Sequence, residues 1–238
     1  MYGMGMYGMF SPSIIILVPA ILFTMYAQAK VKSAYNKYIQ IPNKKGITGA
    51  QAARMILDSN GLRHVPIQIV QGTLSDYYDP KNDVMNLSND VYYGTSIASV
   101  SIAAHESGHA IQDGTSYALL RFRSSMAPVV NFASTASWPL LIIGLVIIGA
   151  GSVTMGNLVF DIGIVFFLAV VLFHLVTLPV ELNASSRAIK QMMQLYIVDA
   201  EEKRGAKKVL SAAAMTYIAA LATAVANLVR ILVIRGRN

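Results

Sequence analysis

The residues whose types and spacing could do chemistry lie in one short stretch, His105-Glu106-Ser107-Gly108-His109. Residues four apart on a helix project from one face. His105 and His109 at that spacing can hold one Zn²⁺, and Glu106 beside them can take a proton from a water that the ion activates. Attack of such a water on a polarised carbonyl is the chemistry this pattern performs. Gly108 would let a second backbone or a ligand come close. The rival reading is an ordinary helix with two hydrogen-bonded histidines and a structural glutamate. Its setting opposes it: Ile97 to Ala104, just before the motif, is uncharged, and burying His, Glu and His there without a partner is costly. The chain has no Cys and only four His, so a metal site must be built from His, Asp and Glu. Zinc is the default ion for such a set, although two His and a carboxylate also suit Fe²⁺ or Co²⁺.

The elements that must position this motif are not those of a water-soluble enzyme. Hydrophobic residues make up 55% of the 238 and charged residues 13%, against roughly 25% charged in an average soluble domain. The net charge of +7 is unevenly placed. Lys30, Lys32, Lys37, Lys44 and Lys45 follow one apolar run, and Arg187, Lys190, Lys203, Arg204, Lys207 and Lys208 follow another. Between Arg123 and Glu181 the only charged residue is Asp161. Basic residues flanking apolar runs are the pattern of membrane anchors, and they argue against a nucleic-acid surface.

Residues 1–9 are an uncharged Met/Tyr/Gly string, expected to be flexible. Residues 10–29 read as a first transmembrane helix with Pro19 as a candidate kink. Ala27-Gln28-Ala29 is similar to a signal-peptide cleavage site, but the positive charge follows the run instead of preceding it. That favours an uncleaved anchor with its N-terminus outside. Residues 30–130 then form a cytoplasmic region that carries the motif. Within it, Thr48 to Ser59 reads as a capped helix ended by Asn60-Gly61, and Val65 to Val70 as a strand. Short strands near Ser75–Tyr78 and Val84–Leu87 flank a turn at Asp79–Asp83, and a helix spans Ser96–Gln112. Residues 131–180 form a transmembrane hairpin about Gly151–Asn157, and 181–210 a cytoplasmic helix. Residues 211–238 form an apolar C-terminal helix. It is a candidate fourth span, yet a crossing would place Arg235 and Arg237 outside, against the positive-inside rule. The other reading lays it at the interface or over the polar region.

A catalytic zinc takes three protein ligands and keeps one position open. The metzincin extension would need Gly at 112 and His at 115, and the chain has Gln112 and Thr115. Asp113 lies near the same helix face but at the helix end. Asp161 would sit at the outer end of a span. Glu201 and Glu202 cluster with Lys203 and Arg204 and read as a solvated face. Glu181 closes the apolar run after Leu178-Pro179-Val180 and, with the N-terminus outside, emerges at the same face as the motif helix. It is the expected third ligand, with Ser185 one turn on.

The order of a His-Glu-x-x-His helix, a membrane hairpin and Glu-x-x-Ala resembles the membrane gluzincins, the HtpX heat-shock protease and the CAAX prenyl proteases. Closer still is the YugP-like family of bacterial membrane neutral zinc metallopeptidases. Asp79-Pro80, Leu87-Ser88, the segment His105 to Gln112 and Pro179-Val180-Glu181-Leu182-Asn183-Ala184-Ser185 carry that resemblance, which extends from about Thr48 to Ala220. It implies zinc-dependent hydrolysis of peptide bonds at the membrane, with His105, His109 and Glu181 as ligands and Glu106 as general base. The expected fold is mainly α: an integral membrane helical protein with a zincin-like His-Glu-x-x-His helix and a small β-element before it. HtpX-like enzymes carry Asp four residues after the ligand Glu. Here Ser185 stands there, so the support of a ligating His must differ, or Asn183 serves.

Other residues have plainer readings. Arg187 could stabilise an oxyanion, but a membrane-surface anchor is the simpler role. His174 shares a helix face with Glu181 and reads as a histidine within the bundle. His64 reads as exposed and Tyr92-Tyr93 as an interface belt. Met85–Ser88 is the expected edge strand that would receive a substrate backbone, on the strength of the resemblance and general β-augmentation. The implied partners are a peptide or membrane-protein substrate and the lipid bilayer, with no nucleic acid. A regulatory membrane partner or a homo-oligomer is compatible with the sequence. Two rival functions stand beside the peptidase: a site-2-like intramembrane protease using Asp161 as ligand, and a catalytically silent membrane scaffold.

Overall fold

Long apolar runs and short capped segments alternate along this chain, and each becomes a helix or strand for a local reason. The computed structural model describes residues 12–236; the string 1–9 lies outside them. A 3₁₀ turn, Pro12–Leu17, leads into α1, Val18–Tyr38. Pro19 therefore occupies the first α-helical turn, where its missing N–H is no loss. Then follow α2 (Gly49–Ser59), β1 (Ile67–Val70), β2 (Tyr77–Asp79), β3 (Val84–Ser88), α3 (Asn89–Tyr92) and α4 (Ile97–Gly114). The chain closes with α5 (Ala118–Gly149), α6 (Val153–Gln194) and α7 (Glu202–Arg235).

Four helical segments among the described residues are long and apolar enough to cross a membrane: Ser13–Tyr38, Ala118–Gly149, Val153–Gln194 and Glu202–Arg235. The protein is an integral membrane helical protein. The last segment includes the C-terminal apolar run, and Arg235, which counts against its crossing, forms a two-point pair with Asp161 at 2.6 and 3.0 Å. The helices outrun the apolar stretches that announce them. The expected loop Gly151–Asn157 shrinks to residues 150–152, because helix α6 already starts at Val153.

The chain divides into two compact units. Among the described residues, one comprises 12–26, 122–178 and 217–236. Large apolar side chains such as Ile15, Val146 and Val165 point outward there, each more than 60% exposed, as lipid-facing residues do. Its interior packs Leu141, Phe160, Phe167, Val171, Ala224 and Ile231. A Cβ on Gly144 would lie 2.7 Å from the backbone nitrogen of Phe160, so α5 and α6 meet backbone to backbone, as small residues allow in membranes. Gly156 belongs to the same contact and is thus a helix-packing residue, not a turn residue.

The other unit, residues 27–121 and 179–216, holds the β-element and the motif helix. Helix α2 starts with a capping box: Thr48 Oγ1 accepts from the Gln51 N–H at 3.1 Å and the Gln51 side chain accepts from the Thr48 N–H at 2.9 Å. Its apolar stripe buries Ala52, Ala53, Ile56 and Leu57 against Met85, Leu87, Val91, Val100, Met192 and Ile197. The sheet order is β1-β3-β2, with β1 parallel and β2 antiparallel to β3. The strand expected at the edge, Met85–Ser88, is therefore the central one. Ile67 pairs with Met85 on one side and Tyr78 with Met85 on the other, so Met85 has a strand on both sides. Replacing the fully buried Ile56 by Ala should cost about 2–5 kcal/mol. We expect a clear fall in the thermal unfolding temperature of the detergent-solubilised protein, followed by tryptophan-independent scattering or calorimetry.

Candidate active site

The site starts from one close approach. Helix α4 is capped by Ser96, whose Oγ accepts from the Ser99 N–H at 3.0 Å, and its middle carries small residues. At Gly108 an added Cβ would lie 2.6 Å from the carbonyl oxygen of Ala184 on α6. The two helices touch there through backbone alone. That contact brings Glu181, three residues before Ala184, onto the histidine face of α4. His105 Nε2 lies 3.3 Å and His109 Nε2 3.4 Å from the same oxygen, Glu181 Oε2. Ligand atoms of these three residues all fall within 4.8 Å of one another, and Glu181 is 3% exposed.

The far side of each imidazole is held. His109 Nδ1 is 3.0 Å from Gln112 Oε1. Gln112 Nε2 donates to the Val180 carbonyl at 2.8 Å and to Asn183 Oδ1 at 3.0 Å. A carbonyl can only accept, so the Gln112 amide nitrogen must face Val180 and its oxygen must face His109. His109 therefore carries a proton on Nδ1, and its Nε2 faces Glu181 Oε2. His105 Nδ1 meets Ser185 Oγ at 3.2 Å, an arrangement that suits the same tautomer. With each Nδ1 engaged, the two Nε2 atoms are the ring nitrogens available to a cation placed between them and Glu181. Two imidazole nitrogens and a carboxylate oxygen are the donor set of a catalytic zinc site, so the residues present fit that ion.

Glu106 is 9% exposed, and its Oε2 accepts from the Tyr78 N–H of β2 at 3.0 Å. Burial pushes its carboxyl up to about 7; nearby Glu181 adds to this, and His105 opposes it. Behind it, Asp76 accepts from the Ser88 N–H at 2.7 Å, and burial raises its pKa above the ordinary carboxylate value.

The other expected candidates go elsewhere. Asp113 accepts from the Tyr78 hydroxyl at 2.9 Å, and Asp161 pairs with Arg235. Glu201 is exposed beside Lys44. Glu202 is not on a solvated face: it is buried and accepts from the backbone N–H groups of Lys44 and Asp199. Arg187 donates to Asn183 Oδ1 at 2.8 Å and sits over the Tyr117 ring, which ties it to the Gln112 network. His174 is half-buried against Phe173. His64 is largely exposed and pairs with Asp83 at 2.9 Å. Gln112 is the residue the sequence did not single out as functional. Its signal was a long amide three residues past the second histidine, able to reach back one helical turn.

Comparison with known proteins agrees with this geometry. The family described as "Putative neutral zinc metallopeptidase" matches residues 13–236. The chain belongs to that family. Its similarity to the "Putative membrane protease YugP" of Bacillus subtilis (strain 168) is 46% identity over 227 residues, covering 94% of this chain and 98% of that protein. No solved structure matches the chain. Zinc is accordingly the cofactor for which the His105–His109–Glu181 group is suited.

Two substitutions outside that group test the geometry. Gly108→Ala should force α4 and α6 apart, with an overpacking cost of about 1–3 kcal/mol. Zinc content by plasma mass spectrometry should fall although no donor atom has changed; full retention would show that the close approach is dispensable. Gln112→Ala removes the partner of His109 Nδ1 and the side-chain tie from α4 to the Val180 carbonyl and Asn183. A loss of roughly 10–100-fold in zinc affinity is expected, read by competition with a chromophoric chelator.

Proposed function

We propose that this protein is a zinc-dependent endopeptidase of the gluzincin type. In this reading His105, His109 and Glu181 hold the metal and Glu106 is the general base. The observation that carries the reading is the convergence of His105 Nε2, His109 Nε2 and a buried Glu181 oxygen, with both opposite ring nitrogens tied back by Ser185 and Gln112. The bound ion would lower the pKa of a water to about 7 and polarise the scissile carbonyl. Glu106, anchored through Oε2 by the Tyr78 N–H, takes a proton from the attacking water and returns it to the leaving amine. Its raised pKa suits a group that must both accept and release a proton near neutrality. Tyr78 fixes the carboxylate, and Gln112 and Ser185 fix the imidazole planes.

The site faces the cytoplasm in this reading. All but three of the 19 basic residues, Arg230, Arg235 and Arg237, lie in the two polar regions that also supply the site, and basic residues concentrate on the cytoplasmic side. Residues 30–130 and 181–210 are then cytoplasmic, and 10–29, 131–180 and the C-terminal helix are spans. Substrates are membrane or membrane-proximal proteins, because Glu181 directly follows an apolar run.

Three preparations in detergent decide the matter. Wild type should hold about one zinc per chain and cleave a membrane-anchored peptide. Glu181→Ala should lose most of the metal, whereas Glu106→Gln should keep the metal and lose cleavage. Zinc retained by Glu181→Ala would remove Glu181 from the ligand set. A soluble unfolded protein cut as fast as the anchored peptide would refute the substrate class.

A further inference from the structure

Away from the histidine face, helices α6 and α7 enclose a groove of about 600 Å³. Its two ends differ in chemistry. Leu182, Leu210 and Ala214 line one end, and Lys190, Lys203 and Lys207 the other. Along α6, Leu182 and Lys190 are separated by about 12 Å at a rise of 1.5 Å per residue. The apolar end adjoins the membrane runs: Leu182 comes two residues after Val180, which closes one run, and Ala214 lies within the next, Ala212 to Val229. The lysines are exposed, and no ion pair of the described residues uses any of them. Elsewhere the same protein does neutralise its cations: Lys44 is held by Asp199 and Glu201, and Arg235 by Asp161.

We propose that this groove binds an anionic phospholipid of the surrounding bilayer, with the phosphate head at Lys190, Lys203 and Lys207 and an acyl chain along Leu182, Leu210 and Ala214. Three unneutralised ammonium groups at one end of an apolar channel complement an anion joined to a hydrocarbon tail. Basic side chains beside a membrane attract anionic lipid. The continuity of the apolar end with the membrane runs favours a lipid over a soluble peptide. A lipid is already present there at high local concentration, and its tail needs no hydrogen-bond partners.

The test uses the full chain in nanodiscs of phosphatidylcholine containing a minor fraction of phosphatidylglycerol, with retained lipid read by native mass spectrometry. Wild type should retain phosphatidylglycerol in preference to phosphatidylcholine. The triple variant Lys190→Gln, Lys203→Gln, Lys207→Gln should lose that preference by about tenfold or more. Ser211→Trp, which fills the groove without altering its charge, should lose it too. The control triple variant Lys30→Gln, Lys32→Gln, Lys37→Gln removes the same charge outside the groove and should keep it. Equal loss in the control would reduce the effect to general surface potential and overturn the site. Retention in Ser211→Trp would equally overturn it. So would displacement of the bound lipid by a soluble acidic peptide at concentrations where added phosphatidylglycerol has no effect, since the groove would then serve a protein segment.

Discussion

Gly108 has no side chain, and helices α4 and α6 meet where one would be. An added Cβ there would be 2.6 Å from the Ala184 carbonyl oxygen, so the two backbones are in direct contact. The distances from Glu181 to the two imidazoles follow from that crossing. His105 and His109 flank Gly108 within one turn of α4, and Glu181, Asn183 and Ser185 flank Ala184 within one turn of α6. Separating the helices by even a methyl's thickness would move Glu181 Oε2 from its position 3.3 and 3.4 Å from the two imidazoles. Fully buried Gln112 acts as a strap across the same crossing. It spans from His109 on its own helix to the Val180 carbonyl and Asn183 on the other. Packing sets the separation, and hydrogen bonding sets the rotation.

The site is also defined by an imbalance of charge. Glu181, Glu106 and Asp76 are carboxylates in one largely buried neighbourhood, and burial raises the pKa of both Glu106 and Asp76. Backbone N–H groups of Tyr78 and Ser88 soften this cost for two of them. The oxygen that Glu181 directs between the imidazoles meets the Nε2 atoms of His105 and His109 instead. A buried carboxylate that converges with two imidazole nitrogens is matched by a divalent cation. Membership of a zinc metallopeptidase family and the physical state of the donors thus agree for independent reasons.

Much of this was legible in the sequence where the signal is local. Thr48 is the expected cap of α2, and its Oγ1 accepts from the Gln51 N–H. Four-residue spacing places His105 and His109 on one face. Glu181 is harder, since it is 76 positions from His105; it could be anticipated only by counting membrane crossings. What could not be read is what depends on partners. A strand's own residues do not say which neighbours pair with it, so Met85–Ser88 resembled an edge and is the sheet's centre. Glu202 sits among charged residues and looked solvated, but two backbone N–H groups from distant and local segments make its burial affordable. Apolar runs report the thickness of hydrocarbon and not the length of a helix, which is why α6 continues through Pro179 to Gln194.

Ser185 shows how the remaining departures cohere. In HtpX-like enzymes a carboxylate occupies the corresponding place, where it can orient a ligand histidine. Here a hydroxyl meets His105 Nδ1, and an amide, Gln112, meets His109 Nδ1. Both supports are neutral. A carboxylate at 185 would add a further anion beside Glu181, Glu106 and Asp76, in surroundings that already destabilise the ionised forms of Glu106 and Asp76. Neutral supports fix the same imidazole tautomers without that charge, at the expense of some ligand basicity. Ser185 also lines the groove between α6 and α7. One small side chain therefore separates the histidine face of α6 from its lysine-rimmed face, and whatever fills the groove packs against the group that orients His105.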